Sequence, residues 1–361
     1  MSRTVRAFVA RDRDTPPGIE EITLPETGPH QVRVRILAAG VCHTDLSMVN
    51  GTLSPQFPLV LGHEAAGVVV ETGSAVRSVH IGDHVILNWS PACRECWFCD
   101  NGEPWICETS GTPSYPGGST RDGVPVNVTL GLGSLAEEVV VGESAVVPFP
   151  AEVPAEQAAL LGCAVLTGVG AVRNTAGVAE GDTVAVIGLG GVGLSVVIAA
   201  RAAGAAQVIA VDVTEAKRDL ALAAGATDFL LAGDTLVKAI RTATGGRGVD
   251  HAFECVGRSA SITAAWKGTR RGGSVTVLGI GKRDDLVTLG ALDIFHSART
   301  LRSSVYGSSD PDRDLPVLAQ SVLDGDLDLR PLISHRITLD EAPEAFARLS
   351  RGEGARSVVV F

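Results

Sequence analysis

Four of the seven cysteines fall within one short stretch, Cys93-x2-Cys96-x2-Cys99-x7-Cys107. Four thiolates at that spacing can close a tetrahedron, and a closed four-cysteine shell is a structural zinc site with no position left for substrate. An iron–sulfur cluster or free thiols are the other readings. Nothing else in the chain implies electron transfer, and an irregular lobe of this kind needs a metal to order it. The other three cysteines are scattered. Cys42 lies in Gly40-Val-Cys-His-Thr-Asp45 at the end of a strand, and Cys163 lies in Leu160-Leu-Gly-Cys163. Cys255, inside Ala252-Phe-Glu-Cys-Val256, reads as core packing. His63 belongs to Leu61-Gly-His-Glu-Ala-Ala-Gly67. If Cys42, His63 and Cys163 converge, they give three ligands and an open position, the pattern of a catalytic zinc. On spacing alone, two buried cysteines and a core histidine fit equally well.

A second constellation follows Val184-Ala-Val-Ile187, where the chain runs Gly188-Leu-Gly190-Gly191-Val192-Gly193 and continues apolar through residue 200. A β-branched run, a glycine-rich turn and a helix pattern give the context that raises GxGxxG above chance. Gly188 permits the turn, Gly190 lets backbone approach a pyrophosphate, and Gly193 lets the helix pack closely on the strand. The next strand, Gln207-Val-Ile-Ala-Val211, ends on Asp212. A carboxylate there is placed to accept ribose hydroxyls and would repel a 2′-phosphate. Val213 follows, with no Ser or Arg beside Asp212, so the expected cofactor is NAD rather than NADP. Lys217 is within reach of the adenosine ribose. Residues 184–200 could be mistaken for a membrane span, but the internal glycines and Arg201 argue for a buried strand and helix.

The elements that must position these groups divide in two. With 361 residues, and on a prior of roughly 150 per domain, two domains are expected. Residues 1–150 read as short strands punctuated by Gly and Pro, such as Val32-Arg-Val-Arg-Ile36 and Ala66-Gly-Val-Val-Val70. From Pro154 the texture changes to a helix at 155–161. Strands near Val184, Val208, Asp228, Val249 and Ser274 follow, separated by helix-length segments, which implies a parallel, doubly wound sheet. A last helix at 342–349 and a strand at 356–361 close the chain. Residues 110–127 form one long loop rich in Gly and Pro. Thirty basic against 41 acidic residues give a net charge of −11, so nucleic acid and anionic membrane surfaces are not expected partners. The charged start, with Arg11-Asp-Arg-Asp14 and no long apolar segment, predicts a cytoplasmic chain.

Over essentially its whole length the chain resembles the zinc-dependent medium-chain alcohol dehydrogenases. The resemblance is carried by Cys42-His-Thr-Asp45, Gly62-His-Glu-x-x-Gly67, the four-cysteine lobe, Leu161-Gly-Cys163, the glycine turn with Asp212, and Arg356-Ser-Val-Val-Val. It implies an α/β fold, with a β-rich GroES-like catalytic domain at 1–164, a zinc lobe at 90–110, a Rossmann domain at 165–305, and a return to the catalytic domain at 306–361. Two zinc ions and NAD are implied, with Cys42, His63 and Cys163 on the catalytic zinc. Thr44 would receive the substrate proton, Asp45 would support His63, and Glu64 would be a carboxylate able to visit the metal. His43, Lys217 and Arg356 would contact the pyrophosphate or adenosine ribose. Thr167 and Val192 would flank the nicotinamide, Ile280 would also touch the cofactor, and Trp89 would wall the substrate pocket. One departure stands out: Ser47 occupies the position where the best-known members carry a histidine proton relay. The implied reaction interconverts a primary alcohol and its aldehyde. Asn88-Trp89, Tyr306-Gly and Pro311-Asp-Arg-Asp-Leu-Pro316 also resemble the mycothiol-dependent formaldehyde dehydrogenases of actinobacteria, which oxidise a thiol adduct of formaldehyde. A non-catalytic NAD- or zinc-binding scaffold would lack the open-site ligands. The long loop resembles dimeric members, so a homodimer pairing through residues 300–305 is expected, with a homotetramer as the alternative.

Overall fold

Alternation in Val32-Arg-Val-Arg-Ile36 becomes the strand Gln31–Gly40, in which Val32, Val34 and Ile36 are buried and Arg35 is exposed. In the computed structural model, which describes residues 3–110 and 117–361, this strand is the hub of a seven-stranded sheet. It pairs antiparallel with Glu64–Thr72 along its length, with Glu138–Gly142 at its start, and with Arg356–Val360 at its end. The register sets Gly40 opposite Glu64 on one side and Val358 on the other. The residues just after Gly40, just before Glu64 and just before Val358 are therefore brought together. A five-stranded sheet in the order Ser119–Thr120, Gly18–Leu24, Arg3–Ala10, Leu59–Val60, Asn127–Val128 completes the β-rich unit. Its core includes Phe8, Ile36, Leu61 and Leu135, and Phe8 meets Phe346 of the helix Ala342–Ser350 edge to face.

This unit comprises Met1–Cys163, Asp310–Gly325 and Ile333–Phe361; the other comprises Ala164–Ser309 and Asp326–Leu332. The return to the first unit thus begins at Asp310 rather than 306, and Asp326–Leu332 goes back to the second. A helix expected neither by periodicity nor by capping, Pro311–Leu323, lies in the returning segment and holds Pro316 in its interior. The predicted long loop at 110–127 contains residues 111–116, which lie outside the described residues.

The second unit is a six-stranded, all-parallel sheet in the order Asp228–Leu231, Gln207–Asp212, Thr183–Ile187, Val249–Glu254, Thr269–Val277, Thr300–Ser303. The chain winds outward one way from Thr183–Ile187 and then the other. That strand's carboxyl end is therefore the switch point at which such sheets bind ligands. The membrane-like run of highest apolar length is not 184–200. Among the described residues it is the helix Ala155–Ala176, of which 78% of the apolar window is buried inside the protein. That helix passes through π-helical turns, one of which, Leu161–Val165, holds Cys163.

One carboxylate clamps three neighbouring strands of the parallel sheet. Asp250 accepts hydrogen bonds from Thr183 N at 2.8 Å and Thr183 Oγ1 at 2.6 Å, and from Arg270. Burial raises the pKa of this group, but the bonds from Thr183 and Arg270 outweigh it and hold the carboxyl down at about 2. A depressed folded-state pKa gives stability that is complete above the usual carboxylate range and fades as pH falls toward 2. Asp250→Asn should therefore melt below the wild type at pH 5–7, with the gap between the two closing as pH approaches ~2, as followed by circular dichroism melts.

Candidate metal and cofactor sites

The three scattered ligands do converge. The donor atoms of Cys42, His63 and Cys163 lie within 4.8 Å of one another, all three residues are buried, and Cys163 Sγ is 3.5 Å from His63 Nε2. Strand ends deliver two of them: Cys42 follows Gln31–Gly40 and caps the short helix His43–Val49, and His63 directly precedes Glu64–Thr72. Asp45, fully buried on that helix, accepts from Gly62 N at 2.8 Å, and its other oxygen is 3.0 Å from His63 Nδ1. This fixes the imidazole with Nδ1 toward the carboxylate and Nε2 toward the two thiols, the orientation of a metal-ligating histidine. Gly62 can approach because it has no side chain: its φ is +100° and a Cβ would meet Leu135 N at 2.3 Å.

Electrostatics point the same way. A hydrogen bond from Cys163 pulls the Cys42 thiol well below its ordinary value despite burial, with Arg356 and His63 adding to the effect. Cys163, as the donor and buried, is pushed up. Burial opposes a charge on His63, yet Asp45 and Cys42 outweigh it and raise its pKa well above the ordinary value. The pocket is built to hold positive charge at its centre. A tetrahedral zinc with Zn–S bonds near 2.3 Å has ligand–ligand separations of about 3.8 Å, so the donor set and its spacing suit that ion.

The four lobe cysteines also form a cluster within 4.8 Å, with Cys96 Sγ at 3.5 Å from Cys99 Sγ and 3.9 Å from Cys107 Sγ. Burial works against a Cys107 thiolate, but the Cys93 N–H and Thr109 bring its pKa down to about 6. Burial and the hydrogen bond with Cys96 push Cys99 up to about 12. Arg94, next to the first ligand, makes a bidentate pair with Asp310 at 2.6 and 2.8 Å and reaches Asp312, pinning the lobe to the start of Pro311–Leu323.

In the parallel unit the three glycines of the turn play three different parts. Gly188 has φ +93°, and a Cβ there would strike Val256; a Cβ on Gly193 would lie 1.8 Å from Gly188 O. A Cβ on Gly190, in contrast, would meet nothing within 4 Å. Open space beside Gly190, at the start of the helix Gly191–Ala202 whose N-cap makes no side-chain hydrogen bond, leaves free N–H groups that suit a pyrophosphate. Asp212 accepts from Leu189 N at 2.9 Å and Thr214 N at 3.2 Å, which holds its carboxylate beside the turn.

Predicted site residues divide between the units. His43, Thr44, Asp45, Ser47, Glu64, Trp89 and Arg356 lie with the Cys42, His63 and Cys163 cluster in the β-rich unit. Thr167, Val192, Asp212, Lys217 and Ile280 lie in the parallel one. Thr44 and Ser47 are half-buried and His43 is exposed. Trp89 packs against the β-rich core, Lys217 is buried, and Ile280 is exposed. Arg356 has a buried guanidinium that pairs with Glu64, at 3.2 and 3.3 Å, and donates to Cys42 Sγ at 3.4 Å. Sequence reasoning missed Glu254, a fully buried carboxylate that accepts from Val256 N, Gly257 N and Ser261 Oγ and so shapes the loop lying against Gly188. An acid closing the strand Val249–Glu254, directly after Ala252-Phe253, was the available signal.

Residues 28–151 match the alcohol dehydrogenase GroES-like domain, and residues 191–321 match the zinc-binding dehydrogenase domain. The S-(hydroxymethyl)glutathione dehydrogenase of Escherichia coli O9:H4 (strain HS) is 37% identical over 366 aligned positions, spanning 98% of this chain and 99% of that protein. The chain belongs to the zinc-dependent medium-chain alcohol dehydrogenase family. Among solved structures, an alcohol dehydrogenase zinc-binding domain protein from Burkholderia ambifaria superposes with a TM-score of 0.93 at 33% identity, covering all of both chains. Benzyl alcohol dehydrogenase from Acinetobacter calcoaceticus gives 0.91 at 27% identity, covering 99% of each. This dehydrogenase is thus a zinc-containing oxidoreductase with a GroES-like and a Rossmann-type domain.

Asp45→Asn should weaken zinc binding at the Cys42 site by about 10–100-fold, the usual cost of losing such a supporting partner. Metal analysis after dialysis against a chelator should show less zinc retained by the variant than by the wild type.

Proposed function

We propose that this dehydrogenase interconverts a primary alcohol and its aldehyde by hydride exchange with NAD. It would carry two zinc ions per chain, a catalytic one on Cys42, His63 and Cys163 and a structural one on Cys93, Cys96, Cys99 and Cys107. The observation that carries this reading is the buried Cys42, His63 and Cys163 set: three donors, not four, among the described residues, with Asp45 orienting the imidazole. When bound, zinc supplies Lewis acidity toward an alcohol or carbonyl oxygen, and the nicotinamide accepts or returns hydride.

The remaining work falls to the chain. Thr44 Oγ1, two residues beyond the ligand Cys42, accepts the proton of the substrate hydroxyl while giving up its own toward His43. His43 and Ser47 are four residues apart on the helix His43–Val49 and share a face. The exposed His43 imidazole then passes the proton to solvent in place of the relay histidine that Ser47 replaces. Trp89 lines the substrate side, and Glu64 with Arg356 keeps a paired charge beside Cys42. Asp212, held by Leu189 N and Thr214 N, keeps a lone pair on each oxygen for ribose hydroxyls and repels a 2′-phosphate.

A second reading, oxidation of S-(hydroxymethyl)mycothiol or a similar thiol adduct of formaldehyde, is supported by the 37% identity to an S-(hydroxymethyl)glutathione dehydrogenase. It uses the same CH–OH chemistry. A homodimer is proposed through Thr300–Ser303, the exposed edge of the parallel sheet. A bare edge of this kind needs cover. Light scattering should give twice the chain mass, and a monomer would refute it.

The deciding assay is NADH formation by zinc-replete enzyme with a panel of primary alcohols, against formaldehyde with and without mycothiol or glutathione. Turnover of the alcohols alone supports the first reading, an absolute thiol requirement the second, and no turnover with either refutes both. Asp212→Ala should lower the preference for NAD over NADP by about 10–100-fold, matching the ~1.5–3 kcal/mol of a hydrogen bond to a charged group. An unchanged preference would remove Asp212 from that role.

A further inference from the structure

Glu64 and Arg356 are an ion pair with almost no solvent, their side chains 0% and 4% exposed. Arg356 Nη2 also donates to Cys42 Sγ at 3.4 Å. The pair fits only because of a third position. A Cβ built on Gly40 would lie 2.1 Å from Glu64 Oε2, 3.0 Å from Cδ and 3.2 Å from Cβ. Gly40 has no left-handed φ, so its backbone would tolerate any L-residue. The need for glycine here comes from the neighbour. Glu64 faces Gly40 across one side of the strand and Val358 faces it across the other, so a side chain at position 40 cannot be accommodated without moving the carboxylate.

We propose that Gly40 is a positioning residue of the metal site: by having no side chain it seats Glu64 against Arg356, and so keeps the Arg356 guanidinium on the Cys42 sulfur. This rests on the reading of Cys42, His63 and Cys163 as a metal centre. A hydrogen bond to a ligating thiolate withdraws electron density from sulfur and fixes its direction, so losing it changes both the metal–sulfur bond and the affinity. A methyl at position 40 displaces the carboxylate, the guanidinium follows its partner, and Cys42 loses its donor.

The test is a double-mutant cycle of Gly40→Ala and Glu64→Ala on cobalt(II)-loaded full-length protein. The difference between each protein and its Cys163→Ala counterpart isolates this site from the lobe. In the Glu64 background, Gly40→Ala should shift the thiolate-to-cobalt charge-transfer band to lower energy and weaken cobalt binding by about 10–100-fold. In the Glu64→Ala background it should add nothing, because the obstructing carboxylate is gone. If Gly40→Ala alone fails to fold, a double variant that folds with the Glu64→Ala spectrum supports the proposal equally. Unchanged band and affinity in Gly40→Ala, equal effects in both backgrounds, or a double variant that also fails to fold would overturn it. A wild-type protein with no Cys163-dependent cobalt band would instead overturn the metal-centre reading, and this proposal with it.

Discussion

Two cysteines, a histidine, two carboxylates and an arginine share a space at the ends of three strands from which solvent is excluded. Buried charge must be paired. Here four potential anions, Cys42, Asp45, Glu64 and Cys163, face one guanidinium. The shortfall shows as two compromises: against the burial that opposes its charge, Asp45 and Cys42 raise the pKa of His63, and donation to Cys42 together with burial pushes Cys163 up. A divalent ion relieves both compromises at once: it lets His63 be neutral and both thiols ionise. The rest of the β-rich unit can be understood as what is required to assemble that set. The hub strand pairs with three others so that its last residue meets Glu64 and Val358, and the Gly62 turn brings a backbone N–H to Asp45.

Absent side chains shape both units. Gly40 makes space for a carboxylate, Gly62 for a backbone crossing, and Gly193 for the carbonyl of Gly188, whereas Gly190 leaves space that no protein atom fills. The distinction matters because a glycine against protein is a packing constraint, while a glycine with open space beside it leaves room for a group to approach the backbone. Only Gly190 among these four is of the second kind, and it lies at the helix start where an anion is favoured.

Much of this was legible in the residues. The switch from interleaved strands to alternating strands and helices located the two folds, because side-chain periodicity is dictated by which faces are buried. The glycine turn and Asp212 were readable because their spacing is local, and the lobe for the same reason. The Cys42, His63 and Cys163 set was not decidable from spacing, since its convergence depends on strand register, and only the family resemblance singled it out. No sequence signal shows that Glu64 pairs with Arg356, because that contact depends on how strands distant in the chain pair. Helix Pro311–Leu323 escaped notice because Pro316, and the charges of Asp-Arg-Asp before it, disguise an apolar face of Leu315, Leu318 and Ala319. A proline in a helix interior removes a backbone hydrogen bond and crowds the carbonyl four residues earlier, so the residue pattern argues against a helix there.

The two cysteine clusters also differ in what holds them before any metal arrives. Cys42, His63 and Cys163 come from a strand end, a strand start and a long buried helix, so sheet pairing and core packing fix their positions. The lobe has one four-residue helix, one short 3-10 turn and three half-exposed cysteines. Its firmest link to the rest of the unit is Arg94 on Asp310 and Asp312, residues more than 200 positions away in the chain. A surface pair of that kind is worth little alone. A metal on the lobe would therefore supply shape, as in small cysteine-rich modules. The buried triad has its shape already, and a metal there would supply charge.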